Sequence, residues 1–500
     1  MFQNPQCSPH FEMLRNSLRA AGFNEKSICG RLGITELRDL LSSRAKSARS
    51  PKEPDPLSLQ TRLLLLGESI PRDALETILT PQLVATLTIL GLASVDAADG
   101  ARLLCPIALY PVGELFIASD RWLAVDGTSV KLPDDIVYPA ITPNTTDFLA
   151  TLPVTQCDSF LELCSGTGAV ALAAAAYAKK SWAIDITERS TQMAEFNRLL
   201  NGLDNVTVRK GNLYEGVEDL TFDRIVAHPP YMPVLRPAQI FYDGGADGEQ
   251  ITRRCVAGLP QFLKPGGCFY CLAQGSDRKG APLEGRVRGW LVEGHTDFDV
   301  AVVEKRVQDP KDAAFIYALK AKGGFDTVDL MRDSLASLGA ESMVYGWIII
   351  QRRSDTRKVF TVRRSAGRRA AREEIAWLLK WETFAASPSA FDDLLEMIPV
   401  ARPSLELRAI HRLKEGVLLP EHLALHIEDP FTMECQVDPW VAFLIPMCDG
   451  QTTVRQLWER CKGQNFIHAE APPEDFAKLI GVLISGGFLE VAEFRPPNPL

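Results

Sequence analysis

An α/β fold, an open and largely parallel sheet with helical modules added at both ends, is what this 500-residue sequence predicts. Three observations carry the prediction. The apolar run Ser159 to Leu163 meets the glycine turn Cys164-Ser165-Gly166-Thr167-Gly168 and then an alanine-rich helical stretch, 169–176. A second strand, 181–186, ends at Asp185. A third apolar run, ending at Ala227, is stopped at once by His228-Pro229-Pro230-Tyr231. Proline cannot donate to a sheet ladder, so the backbone leaves the sheet there. At the carboxyl end of an open parallel sheet, that is where ligands bind.

Residues 1 to about 45 read as short helices, with Phe11, Leu14, Leu18 and Ala21 on one face and Gly22 as a stop. A polar, proline-rich linker follows at 46–57. Pro71 and Pro81 sit near helix starts, Pro81 behind Thr80 as N-cap. The second of these helices ends at Gly91, and 92–95 and 102–104 flank the Asp99-Gly100 turn of a hairpin. Three helices and a hairpin suggest a winged-helix module. The C-terminus repeats the pattern: a helix opens at Thr453, another spans Pro473 to Ser485, and Gly486-Gly487 leads to the strand Phe488 to Val491. The alternative is that both modules simply cover apolar surface. The expected division is 1–130, 131–365 and 366–500.

Residues 352–372 carry nine basic residues: Arg352, Arg353, Arg357, Lys358, Arg363, Arg364, Arg368, Arg369 and Arg372. They read either as a contact for RNA or an acidic protein, or as a solvated strand edge and helix face. A net charge of −9 favours the second. The eleven cysteines have no ligand pattern; Cys268 and Cys271 lie in a strand that points them to opposite faces, so metal is not expected. The amino end has no signal pattern and no apolar stretch reaches spanning length, so a cytoplasmic monomer away from membranes is expected.

The glycine turn is ambiguous alone. With Asp185 about twenty residues on, it suits a nicotinamide enzyme, a methyltransferase or a plain tight turn. Glu162 narrows the choice, because a carboxylate just before the turn repels a pyrophosphate and welcomes an ammonium group. Glu162 to Gly168, Asp185, Gly211-Asn212-Leu213 and His228 to Tyr231 together resemble the motifs of Rossmann-like class I S-adenosylmethionine-dependent methyltransferases. The likeness is greatest to the Asn-Pro-Pro-Tyr branch, which methylates planar nitrogens in nucleic-acid bases and in the glutamines of release factors and a ribosomal protein. Residues 242–248 and 263–267 resemble the segments that follow in the glutamine enzymes, and the likeness covers roughly 130–350.

The resemblance implies roles. Cys164, Ser165, Gly166, Thr167, Gly168, Ile186, Leu213 and His228 would contact S-adenosylmethionine, with Glu162 at its amino group, Asp185 at its ribose and Asn212 near its adenine. His228, Pro229 and Tyr231 would form the catalytic slot, Tyr231 packing on the planar acceptor. The sequence departs from the pattern at Cys164, where glycine is usual, and at His228, where asparagine is usual. Imidazole accepts a hydrogen bond only when neutral, and its reference pKa is about 6.5. The implied acceptor is a protein or peptide glutamine; an exocyclic amine of RNA or DNA and an inactive cofactor-binding scaffold are the alternatives.

Overall fold

The computed structural model describes residues 8–41, 48–122, 133–234, 240–292, 296–320, 325–367 and 372–494. The chain forms two compact units: Met1–Leu149, Val154–Gln274 and Lys311–Leu338 in one, and Ala150–Pro153, Gly275–Pro310 and Gly339–Leu500 in the other. Compactness thus divides the chain differently from the three-part reading of the sequence. Among the described residues no helix is long and apolar enough to cross a membrane, and no group of side chains could hold a metal ion.

In the first unit α1 (Ser8–Ala20) buries Phe11, Leu14 and Leu18. Helix α2 (Glu25–Leu32) is capped by Asn24 and stops at Gly33, whose φ of 69° is left-handed. Helix α3 (Pro56–Gln60) starts on an Asp55 cap. Then come β1 (Ile70–Pro71), α4 (Arg72–Leu79), α5 (Pro81–Ile89), β2 (Ser94–Asp96) and β3 (Asp99–Leu104). Thr80 caps α5 as expected. The hairpin β2–β3 forms, but it turns at Ala97-Ala98 and leaves Gly100 inside β3. The reason is local: the Asp96 carboxylate accepts from Ala98 N at 2.9 Å, which starts the turn ahead of the Asp-Gly pair. Strand β1 pairs with β3 on its other side. A second hairpin follows, β4 (Ile107–Val112) with β5 (Leu115–Asp120).

After α6 (Pro143–Thr151) come β6 (Cys157–Leu163), α7 (Ala169–Ala174), β7 (Ala178–Asp185), α8 (Glu188–Asn201), β8 (Val206–Lys210), β9 (Phe222–Ala227), α9 (Gln250–Phe262) and β10 (Leu263–Arg278). Helix α7 is shorter than its alanine run, and β7 begins three residues before Ser181. Asn205 Nδ2 donates to the carbonyls of Ala175 and Ala178, at 3.0 Å each, which closes the helix early. Strand β6 pairs in parallel with β7 and β9, β7 with β8, and β9 with β10. The order β8-β7-β6-β9-β10 reverses direction between β6 and β9. That is the switch point at which open parallel sheets bind ligands, and both the glycine turn and the Pro-Pro-Tyr segment leave the sheet there.

The amino-terminal elements share one apolar core with α7, α8 and the start of β8. Phe11 of α1 packs edge-on against Phe196 of α8 at 5.2 Å. Strand β5 lies along α8, where two asparagines one turn apart serve it as a neighbouring strand would. Asn197 accepts from Ala118 N at 2.7 Å and donates to Ala118 O at 3.0 Å. Asn201 does the same for Phe116, at 2.9 and 2.7 Å. Asn197 is fully buried and also donates to Thr167 O in the glycine turn, at 3.0 Å. Asn197→Ala strands buried backbone groups, so it is expected to cost about 1–3 kcal/mol. Urea denaturation checks this; an unchanged midpoint refutes the docking role.

The second unit begins with α10 (Leu283–Trp290) and β11 (Phe298–Gln308). Helices α11 (Pro310–Lys320) and α12 (Phe325–Ser337) follow, most of their residues counted with the first unit. Next are β12 (Ala340–Arg352), β13 (Thr361–Ala366), α13 (Arg372–Ala385), α14 (Ala390–Leu395), β14 (Pro399–Ala401), β15 (Glu406–Lys414), β16 (Val417–Ile427) and β17 (Phe431–Val437). The last are α15 (Pro439–Leu444), α16 (Val454–Gly463), α17 (Pro473–Ser485) and β18 (Leu489–Val491). Strand β11 pairs antiparallel with β12 and parallel with β13. Strand β13 continues antiparallel to β17, then β16 and β15. Thr453 and Gln456 form a capping box on α16, and α17 has the expected limits before β18, which pairs with β14.

The basic stretch is not the solvated face expected of it. Arg357 is buried and binds both carboxylate oxygens of Asp299. Arg363 is largely buried among Asp277, at 2.9 Å, and Glu304. Arg364 reaches Glu382 at 2.7 Å and Ser485 at 2.6 Å. Asp299, Glu304 and Asp277 lie 58 residues or more from the arginines they hold, so the charge run looked unpaired. Arg368 and Arg369 lie outside the described residues.

Candidate active site

A cavity of about 360 Å³ opens at the carboxyl ends of β6, β7 and β9, within the size range of small-molecule sites. It is lined by Glu162, Cys164, Ser165, Gly166, Thr167, Asp185, Ile186, Asn212, Leu213, His228, Pro229 and Tyr231. Of the residues singled out from the sequence, Gly168 alone does not line it. Gly168 instead caps α7 with a φ of 73°, and a Cβ there would stand 3.0 Å from Ala194 Cβ. It lets α7 pack against α8.

The turn holds its shape through its own backbone. Cys164 and Gly166 both sit in the left-handed region, with φ of 55° and 52°. A Cβ on Gly166 would meet nothing within 4 Å, so its glycine serves the dihedral and leaves open space above the backbone. Asp185 Oδ2 accepts from Gly166 N at 2.9 Å, and Oδ1 accepts from Thr187 N at 3.0 Å. The second strand end therefore fixes the turn as well as facing the cavity. Ser165 Oγ has no partner among the described residues.

Glu162 is buried, and its Oε2 accepts from Ala171 N of α7 at 2.7 Å. No basic side chain pairs with it among the described residues. Burial pushes its pKa up to about 8, against the lowering effect of the Ala171 and Val170 amides. An acid held back by desolvation ionises when a cation arrives beside it. That is the electrostatic fit for an ammonium group, and the open space over Gly166 and the unpaired Ser165 hydroxyl fit the rest of an amino-acid moiety.

Across the cavity His228 lies between aromatic rings. Its centroid is 6.0 Å from Phe148 and 6.1 Å from Tyr231, the latter nearly parallel at 23°. Burial pushes the His228 pKa down to about 4. The imidazole is thus neutral over a wider range than its reference value implied. Asn144 Nδ2 donates to Tyr231 Oη at 3.1 Å and holds that ring in place. The segment after the motif folds back on it: Met232 N donates to Tyr242 O at 3.1 Å and Gly244 N to Met232 O at 2.9 Å. Asp243 and Asp247 accept from Gly245 N and Glu249 N, so these carboxylates close the loop.

Sequence reasoning missed one wall of the cavity, residues 136–148, including Tyr138, Asn144 and Phe148. This wall hangs from the amino-terminal hairpin: Val137 N donates to Asp120 Oδ2 and Ala140 N to Tyr110 Oη, both at 2.8 Å. The only local signal was Thr142-Pro143, a helix-start pair placed just before the cofactor motifs. Arg254 was missed too; it donates to Asn212 Oδ1 at 3.0 Å and orients that amide.

Residues 140–288 match the family described as methyltransferase small domain. A putative protein N5-glutamine methyltransferase of Methanocaldococcus jannaschii is 32% identical over 157 residues, which is 30% of this chain and 78% of that protein. A ribosomal protein uL3 glutamine methyltransferase of Bradyrhizobium diazoefficiens is 32% identical over 130 residues, 23% of this chain and 41% of that protein. A release factor glutamine methyltransferase of Xylella fastidiosa is 34% identical over 132 residues, 24% of this chain and 48% of that protein. The chain thus spans less than half the length of these last two relatives. With the glycine turn, the Asp185 strand end and the Pro-Pro-Tyr slot around one cavity, the chain belongs to the class I S-adenosylmethionine-dependent methyltransferases, in the branch of the protein glutamine methyltransferases.

Proposed function

We propose that the enzyme methylates the side-chain amide nitrogen of a glutamine in a protein. The observation that carries this is the slot formed by neutral His228 and the Tyr231 ring that Asn144 holds. A primary amide is planar and presents two N–H donors. His228 accepts one of them, and Tyr231 packs on the plane. When bound, S-adenosylmethionine supplies an activated methyl group. Glu162 holds its amino group and Asp185 its ribose, while Gly166 and Thr167 lie beneath its amino-acid arm. The protein's contribution is to set the acceptor nitrogen in line and to exclude water.

The amino-terminal module favours a protein acceptor over a nucleic acid. We read α3 to β3 as a winged-helix-like module, with α5 in the place where such modules read DNA. Its exposed residues Gln82, Ala85, Thr88 and Ile89 carry no cation, and the β2–β3 wing presents Asp96 and Asp99. Phosphate recognition needs the opposite charge. We assign 131–365 to catalysis in the cytosol, with 1–130 supplying the hooks, Tyr110 and Asp120, for one wall of the site.

The test is to incubate the protein with radiolabelled S-adenosylmethionine and cell lysate, then digest separately with protease and nuclease. Label released by protease alone is the expected result. Label released by nuclease points to a base amine, and no label at all points to an inactive scaffold; either outcome overturns the proposal.

A further inference from the structure

Strand β15 stands at the end of its sheet, paired with β16 on one side only. Eight of its nine residues are exposed and the ninth is half-buried. An edge this long presents a row of unpaired N–H and C=O groups, a template for another strand. The hairpin also exposes six large apolar side chains: Leu407, Ile410, Leu413, Val417, Leu418 and Leu419. Leu413 and Leu418 face each other across it. Such a surface calls for an occupant.

The sequence of the strand says which. Glu406-Leu407-Arg408-Ala409-Ile410-His411-Arg412-Leu413-Lys414 is nearly symmetric about Ile410. Laid antiparallel against a copy of itself and centred on Ile410, it sets Glu406 opposite the partner's Lys414 at both ends. It sets Leu407 opposite Leu413 twice, and Ile410 opposite itself. Opposite charges and apolar pairs directly across an antiparallel ladder are its stabilising contacts. The remaining like-charged pair, Arg408 with Arg412, already has its charges balanced. Arg408 binds Glu406 at 2.9 Å and Glu434 at 3.0 Å, and Arg412 binds Glu421 at 2.6 Å. Lys414 forms no ion pair among the described residues. The one irregularity in the hairpin falls on β16, where Glu421 has no partner between Pro420 and His422, so the alternation of β15 is intact.

We propose that the enzyme is a homodimer, contrary to the monomer expected from its sequence, with two β15 strands paired antiparallel about Ile410. A two-fold axis through one residue is the isologous arrangement that closes without further growth. It joins the two sheets through their outermost strands.

Sedimentation velocity on the full chain across a concentration series tests this. Wild type should sediment as a dimer at micromolar concentration. Glu406→Lys and Lys414→Glu each put like charges at both ends of the paired strands and should raise the dissociation constant about tenfold or more. Mixing these two variants puts opposite charges at both ends of a heterodimer, and should restore the dimer in the mixture only. Ala409→Pro should also weaken the dimer, with circular dichroism confirming the fold: Lys414 pairs with Val417 across the two-residue turn, so by alternation the Ala409 N–H faces the free edge. A monomeric wild type overturns the proposal. So does a dimer that is indifferent to the single changes, or one that mixing fails to rescue.

Discussion

His228→Ala is expected to lower kcat/KM by about 100-fold or more, the effect typical of removing one group that holds the reacting atoms. His228→Asn should keep most of the activity. Both side chains offer an acceptor at a similar place, and asparagine does so at every pH. The structure moves the acid limit. From sequence, the limb due to this histidine belongs near about 6.5; burial places it near about 4. A pH–rate profile under saturating cofactor should therefore show no His228 limb between about pH 5 and 8, and the His228→Asn profile should coincide with wild type there. A limb near pH 6.5 that vanishes in His228→Asn would show that the ring titrates as if exposed. It would contradict the half-buried, ring-stacked setting next to Phe148 and Tyr231. The same burial has a consequence for the fold. The native state resists protonating His228 while the unfolded chain does not, so stability is lost as pH falls from the reference value towards the folded one.

The sequence made the cofactor side of the site legible because each residue there is fixed by its own neighbours. A strand end, a positive φ and a helix start all fall within Glu162 to Ala171. Asp185 is legible for the same reason, one strand later. The acceptor side was half legible. His228 to Tyr231 stand out because two prolines must end a strand. Asn144 and Phe148 could not be seen, since the segment that leads to them is tied through Val137 N and Ala140 N to Asp120 and Tyr110 in another part of the chain. The packing role of Gly168 was hidden because a glycine beside a ligand turn and a glycine under a helix crossing look alike in one dimension; only Ala194 reveals it. The basic stretch failed likewise: Asp299, which takes both ends of the Arg357 guanidinium, is 58 residues away, and Glu304 and Asp277, which hold Arg363, are 59 and 86 away. Asn197 and Asn201 illustrate the general reason. Amides at i and i+4 on a helix read as a polar face, yet here they are the seam that joins β5 to α8.

S-adenosylmethionine affinity should depend on pH through Glu162. With the free pKa near about 8, roughly one molecule in ten carries the ionised carboxylate at neutral pH. If the ammonium group of the cofactor requires that carboxylate, binding must first pay for its ionisation. The dissociation constant should rise about fivefold from pH 8 to 7 and about tenfold more to pH 6. Binding should also release close to one proton at pH 6–7, because the bound cation pulls the Glu162 pKa down. Calorimetry in two buffers of different ionisation enthalpy measures that release directly. Glu162→Gln keeps the contact to Ala171 N but cannot ionise; it should bind weakly at every pH and release no proton. The unliganded fold runs the other way. A carboxyl whose folded pKa is raised holds its proton longer in the native state, so stability falls as pH rises from about 4.5 to 8. Glu162→Gln should remove that part of the decline in urea midpoints. Affinity that stays flat from pH 8 to 6 with no proton release would mean Glu162 serves α7 alone, as a carboxyl bound to the helix amides, and would move the ammonium contact elsewhere in the cavity.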